Sequence, residues 1–148
     1  MPRTLRVLAF GLLVSAFAHA RDFAVVVHRS NPTKTLASAD FVKMAKLTNK
    51  KWADGKNVVL VMKDPALPDM KVVLQKLFGM SADEVKALVQ GNKSSFVIVD
   101  SDAAVVKTVE TMPGAVGLMD VYSITGGVNV LKVDGKSPLE PGYLLHGQ

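Results

Sequence analysis

Three observations in this sequence predict an α/β fold. Apolar runs of β-forming residues alternate with amphipathic helical stripes along the whole chain. The stripes begin at Ser, Asp or Pro and several end at Gly, the chemistry of helix caps. The first run, 23–27, is apolar without a break, as in a strand covered on both faces. Together they predict a single three-layer domain, with a mixed, mostly parallel sheet and helices on both faces. No internal repeat or low-complexity segment interrupts it.

The chain opens Met-Pro-Arg-Thr-Leu-Arg, runs through an apolar stretch at 7–17 and closes on Ala18-His19-Ala20. A basic start, a short apolar stretch and a small-x-small exit make a secretory signal peptide, with cleavage expected after Ala20. The stretch is shorter than the about 20 residues of a transmembrane span, so no stable membrane insertion is expected after cleavage. Taking 20 from 148 residues leaves 128 for a domain at 21–148, enough for one core. The leader holds two of the 18 basic residues and none of the 13 acidic ones, leaving 16 against 13, a net +3. So small and dispersed a surplus argues against nucleic acid as a partner. With no cysteine, disulfides, thiol nucleophiles and thiolate metal sites are excluded.

After the strand at 23–27, His28 to Thr33 reads as loop, with Pro32 holding Asn31 extended. Ser38 is the expected N-cap of the next helix, Asp40 suits its dipole, and Phe41, Met44, Ala45 and Leu47 form its apolar face. Lys43, Lys46 and Lys50 lie off that face and favour the C-terminal half. Trp52, the single tryptophan, is expected to anchor the loop that carries it, with ligand stacking as the alternative, and Asp54-Gly55 to turn the chain into a strand at 58–62.

Two prolines stiffen the connector 63–69. Pro68 suits a helix start, and Asp69 suits its dipole. Met70, Val73, Leu74, Leu77 and Phe78 form a helical stripe that Gly79 ends as a left-handed cap. Ser81 and Glu84 make a capping box for a helix carrying Val85, Leu88 and Val89 to Gly91-Asn92. A short strand follows at 96–99, and Asp100-Ser101-Asp102 is expected to cap a helix at about 103–112.

Pro113-Gly114 leads into a strand at 115–119, whose Gly117 is expected to allow close backbone approach. The alternating run 128–133 reads as one strand turned by Asp134-Gly135, and Tyr143 to Leu145 as a short final edge strand, with a simply trailing end as the alternative.

No catalytic constellation emerges. His28 and His146 are far apart and stand in no serine or metal motif. Gly-x-Gly-x-x-Gly, the Walker loop and His-Glu-x-x-His are absent. A hydrolase using Asp100 and Asp102 is conceivable, but helix capping accounts for both more simply. The expectation is a protein that is not an enzyme, with no cofactor and no metal.

Asn31-Pro32, the stretch 36–41, Trp52-Ala53-Asp54-Gly55, Gly79-Met80-Ser81, Val99-Asp100-Ser101-Asp102, Pro113-Gly114-Ala115-Val116-Gly117 and the run 128–135 resemble, in that order, a known family. It is the phosphate ABC-transporter type of periplasmic substrate-binding protein, and more narrowly its short secreted members with one lobe of the two-lobed type II fold. The Trp-x-Asp-Gly turn and the Pro-Gly-Ala-Val-Gly segment are the most specific parts, with Leu118 where the family usually has tyrosine.

The resemblance implies a periplasmic or secreted protein that binds phosphate or another small oxyanion, partnered by a transporter or another envelope protein. In the family an arginine ends the strand, and a Ser-Gly-Thr turn at a helix start binds the anion. Here Lys63 and Leu67-Pro68-Asp69 stand at those positions. Lys63 lacks the bidentate fork, Pro68 offers no N–H, and Asp69 repels an anion, so solute binding is expected to be weak or altered. Candidate ligand-binding residues are Lys63, with Lys71, Ser94 and Ser95 behind it, and the alternative for the two lysines is solvated surface charge. A protein–protein interaction module that has lost solute binding is the second reading, and it predicts an exposed apolar patch.

Overall fold

Every side chain from Phe23 to Val27 is buried, and the strand they form lies inside the sheet. The computed structural model describes residues 22–147, so the expected leader and its cleavage point lie outside the described residues. The strands are β1 (Phe23–His28), β2 (Thr35–Leu36), β3 (Val59–Lys63), β4 (Phe96–Val99), β5 (Ala115–Asp120), β6 (Val128–Val130) and β7 (Lys132–Val133). Five of them make the main sheet in the order β4-β3-β5-β1-β6, while β2 and β7 pair separately. β3 runs parallel to β4 and β5, and β1 runs antiparallel to β5 and β6. β1 alone is therefore reversed, and the sheet is mixed and mostly parallel.

Period-two alternation sends successive residues to opposite faces. Phe23, Val25, Val27, Leu60, Met62 and Leu118 pack under α1 (Ser38–Ala45), the helical stretch 68–78 and α3 (Ala82–Gly91). Val26, Val61 and Met119 pack under α4 (Asp102–Thr111), through Val105, Val106 and Val109. Burying each such side chain fully contributes about 1.5–3 kcal/mol. Gly117 belongs to the second face, where a Cβ would meet Val105 and Val109 methyl carbons at 2.8 Å. The expected close approach of backbone is thus corrected: the atoms that stand over Gly117 are side-chain methyls of α4 and β1.

Local expectations hold where a cap or turn residue acts on its immediate neighbours. Ser81 caps α3, its hydroxyl accepting the Glu84 N–H at 3.2 Å, and Gly79 closes the preceding helical stretch at φ 60°. That stretch is irregular: a 3-10 turn at Pro68–Met70, the α-helical turn α2 (Lys71–Val73), then π-helical Leu74–Phe78.

Elsewhere tertiary contacts override local chemistry. Ser38 is inside α1 rather than its cap. Ala37 takes the N-cap position, and the Ser38 N–H donates to the Asp134 carboxylate at 2.8 Å, a cap borrowed from 96 residues away. α1 ends at Ala45, and Leu47 turns left-handed at φ 64°, so it is not part of the helical face. The run 128–133 divides into β6 and β7 because the chain leaves β1 after Leu131, whose N–H still reaches the Val25 carbonyl, and pairs with β2 from Lys132, whose N–H donates to the Lys34 carbonyl at 3.0 Å.

The C-terminal stretch is turn and coil, not a strand. It still completes the edge of β1: the Phe23 N–H donates to the Leu145 carbonyl at 3.2 Å and the Val25 N–H to the Tyr143 hydroxyl at 3.2 Å. Burial pushes the Tyr143 phenol up to about 12.

Candidate functional site

Parallel strands end together, and the crevice beyond their carboxyl ends is where open α/β sheets take ligands. β3 ends at Lys63, level with Val99 of β4, and β5 ends at Asp120. The reversed β1 begins at this same end, with Phe23 opposite Asp120.

Lys63 is 5% exposed. Its ammonium contacts the Asp69 carboxylate, lies 3.3 Å from that of Asp102 and sits 5.5 Å from the centroid of the Phe23 ring. The alternative of solvated surface charge is thus corrected for Lys63: the last inward position of a buried strand carries the lysine into the protein, and carboxylates meet it there. Asp69 is brought by the 3-10 turn that Pro68 opens, anchored by the Leu67 N–H to the Asp64 carbonyl at 3.0 Å. Asp102 is released for the role by Ser101, whose hydroxyl accepts the Ala104 N–H at 3.1 Å and caps α4. The expected Asp100 and Asp102 caps are therefore replaced by one Ser101 cap. Asp102 also accepts the Asp120 N–H at 3.1 Å, and the Asp120 carboxylate accepts the Tyr122 N–H at 2.8 Å.

At the carboxyl end of the sheet the Lys63 ammonium is thus held by the carboxylates of Asp69 and Asp102, and Asp102 reaches the end of β5 through the Asp120 N–H. Asp69 and Asp102 lie in the first turns of their helical segments, where a negative charge is favoured. Such an arrangement ties three strands and two helix starts together, and leaves no unopposed positive charge on Lys63.

The other candidates lie apart from it. Lys71 is exposed on α2. Ser94 and Ser95 belong to the turn before β4, where the Ser95 carbonyl accepts the Leu60 N–H, so they sit at the opposite end of the sheet from Lys63. His28 ends β1 beside Ser30, whereas His146 lies 3.1 Å from Asp22 at the beginning of that strand, so the two histidines are separated by its length. Among the described residues no cluster of His, Cys, Asp or Glu is arranged to hold a metal ion.

Sequence reasoning assigned Asp69 to the helix dipole and Asp102 to a cap, and did not single out Asp120. The available signal was a lysine closing an otherwise apolar strand, with acidic residues at the next two helix starts. Among the described residues the exposed large apolar side chains are Leu67, Ile98, Tyr122, Val130 and Leu139, and Tyr122, 81% exposed, stands two residues past the end of β5.

At the opposite end of the sheet Trp52 is 4% exposed, and its indole N–H donates to the Gly114 carbonyl at 2.9 Å. That carbonyl also accepts the Val59 N–H at 3.1 Å. Trp52 thus anchors its loop as expected.

No family model and no curated protein matches the chain. Solved structures do. An ABC-type phosphate transport receptor from Vibrio cholerae is similar at a TM-score of 0.65 and 14% identity over 80% of this chain and 48% of its own. A phosphate binding protein from Stenotrophomonas maltophilia gives 0.67 and 13%, over 81% and 41%. PstS from Borrelia burgdorferi gives 0.64 and 14%, over 80% and 49%. The chain spans about half the length of these structures. At such identities the likeness concerns architecture: the chain has the fold of one lobe of a periplasmic binding protein.

Proposed function

We propose that this is an exported, non-enzymatic domain of the phosphate-binding-protein type in which anion binding is weak or altered. One observation carries the reading: the Lys63 ammonium, at the strand end where a positive charge would meet an anion, is held by Asp69 and Asp102. A phosphate approaching Lys63 must displace a carboxylate and remain beside it. Two like charges 4 Å apart at an effective dielectric of about 20 repel by about 4 kcal/mol.

The leader at 1–20 supports export, and among the described residues no helix is long and apolar enough to cross a membrane. A transporter or another envelope protein is the partner class that fits this setting. Tyr122, highly exposed just past the end of β5, favours the second reading, in which the domain works through protein contacts. Calorimetric titration with phosphate, at low and then physiological salt, tests the choice. The proposal expects no saturable heat at physiological salt; micromolar binding that survives added salt would overturn it.

A further inference from the structure

β4 closes one side of the sheet, and among the described residues nothing pairs with its outer edge. The Leu60 N–H bonds to the Ser95 carbonyl, with Leu60 level with Phe96. A parallel ladder in that register directs both backbone groups of Val97 inward to β3 and leaves those of Phe96 and Ile98 pointing outward. The strand is wholly apolar, Phe-Val-Ile-Val, and Ile98 is 39% exposed. Edge strands are normally blunted by a charge, a proline or a bulge, and β4 has none within it. Its only charges flank it, with exposed Lys93 before and exposed Asp100 after.

We propose that β4 is a self-association edge, which pairs antiparallel with β4 of a second copy about a twofold axis at Val97. The occupant follows from the charges and the hydrogen-bond pattern. Antiparallel pairing centred on Val97 places Phe96 opposite Ile98 of the partner copy, so the outward groups of each satisfy the other in two symmetric pairs of hydrogen bonds. It also brings Asp100 of one copy to the Lys93 end of the other, whereas parallel pairing would set like charges side by side. Phe96 and Ile98 share one face, so the exposed Ile98 side chain gains the partner copy's Phe96 as a neighbour, beside the shallow groove of about 270 Å³ that Ile98 shares with Val89 and Gln90 of α3. Two small sheets become one continuous sheet of ten strands.

Sedimentation velocity over a concentration series reads the association, with Ile98→Pro and Ile98→Lys as the variants. Proline at 98 removes an outward N–H that β3 does not use, so folding is kept while the dimer dissociation constant rises by about tenfold or more. The absence of cysteine supplies an independent readout in the otherwise wild-type chain. Val97→Cys should form a disulfide-linked dimer under mild oxidation, because facing residues of a non-hydrogen-bonded antiparallel pair lie about 4.5 Å apart at Cα. Val99→Cys, displaced from the axis, should not. A wild type that stays monomeric to about 1 mM, a dimer indifferent to both Ile98 variants, or cross-linking at 99 in place of 97 would each overturn the proposal.

Discussion

The two ends of the sheet are closed by different physics. At the amino end of β3 the closure is apolar: Trp52 is buried, and its indole N–H and the Val59 N–H share the Gly114 carbonyl. Gly114 admits no side chain, since a Cβ would stand 2.1 Å from the Asn57 carbonyl oxygen. At the carboxyl end the closure is ionic: Lys63 gathers Asp69 and Asp102, and Asp102 holds the end of β5 through the Asp120 N–H. The apolar closure is filled by the Trp52 side chain itself. An ionic one occupies the groups a ligand would need, and in this fold it does so at the end where ligands normally bind.

The sharpest way to break the contrast is Trp52→Ala, which empties the amino-end closure and should cost about 3–5 kcal/mol in urea unfolding. Lys63→Met should follow, at about 3 kcal/mol, because it leaves Asp69 and Asp102 facing each other with no counter-ion. Their side chains are 20% and 15% exposed, which gives them some water and keeps the loss at the lower end of the range for a buried pair. Replacing Asp69 and Asp102 by Asn in the Lys63→Met background should recover part of that loss, and an additive result would mean the ionic closure is not a unit.

Gly117→Ala tests the middle of the sheet, where the added methyl meets two valines of α4. It should cost about 1–3 kcal/mol without altering either end. Smallest is Tyr143→Phe, at about 1 kcal/mol, since the Val25 N–H loses its acceptor. Its signature is in pH. The folded phenol ionises at about 12 against an ordinary value of 10.0, so its contribution is fully present below pH 10 and is lost as the pH rises through 12. Alkaline melts should show that loss in the wild type and not in Tyr143→Phe.

What was legible in the sequence follows the range of the interactions. Ser81 with Glu84, Gly79, the Trp52 turn and the apolar strands act on neighbours or on generic burial, and each was readable from the residues alone. Ser38 was misread because its partner, Asp134, lies in a turn that only the β2–β7 pairing brings near. The run 128–133 looked like one strand because alternation does not reveal that the chain exchanges β1 for β2 as its partner after Leu131. Lys63 was legible as a strand-ending cation, but not as a buried one. Its environment comes from two helix starts, 6 and 39 residues further along the chain.

The central claim, that the charge of Lys63 holds the fold rather than a solute, is tested most directly by measuring unfolding free energy in the wild type and Lys63→Met with and without millimolar phosphate. A ligand that binds only the folded state must stabilise it, by about 2.7 kcal/mol at a hundred times its dissociation constant. The account expects Lys63→Met to lose several kcal/mol, with phosphate leaving both proteins unchanged. Marked stabilisation of the wild type by phosphate, abolished in Lys63→Met, would contradict it.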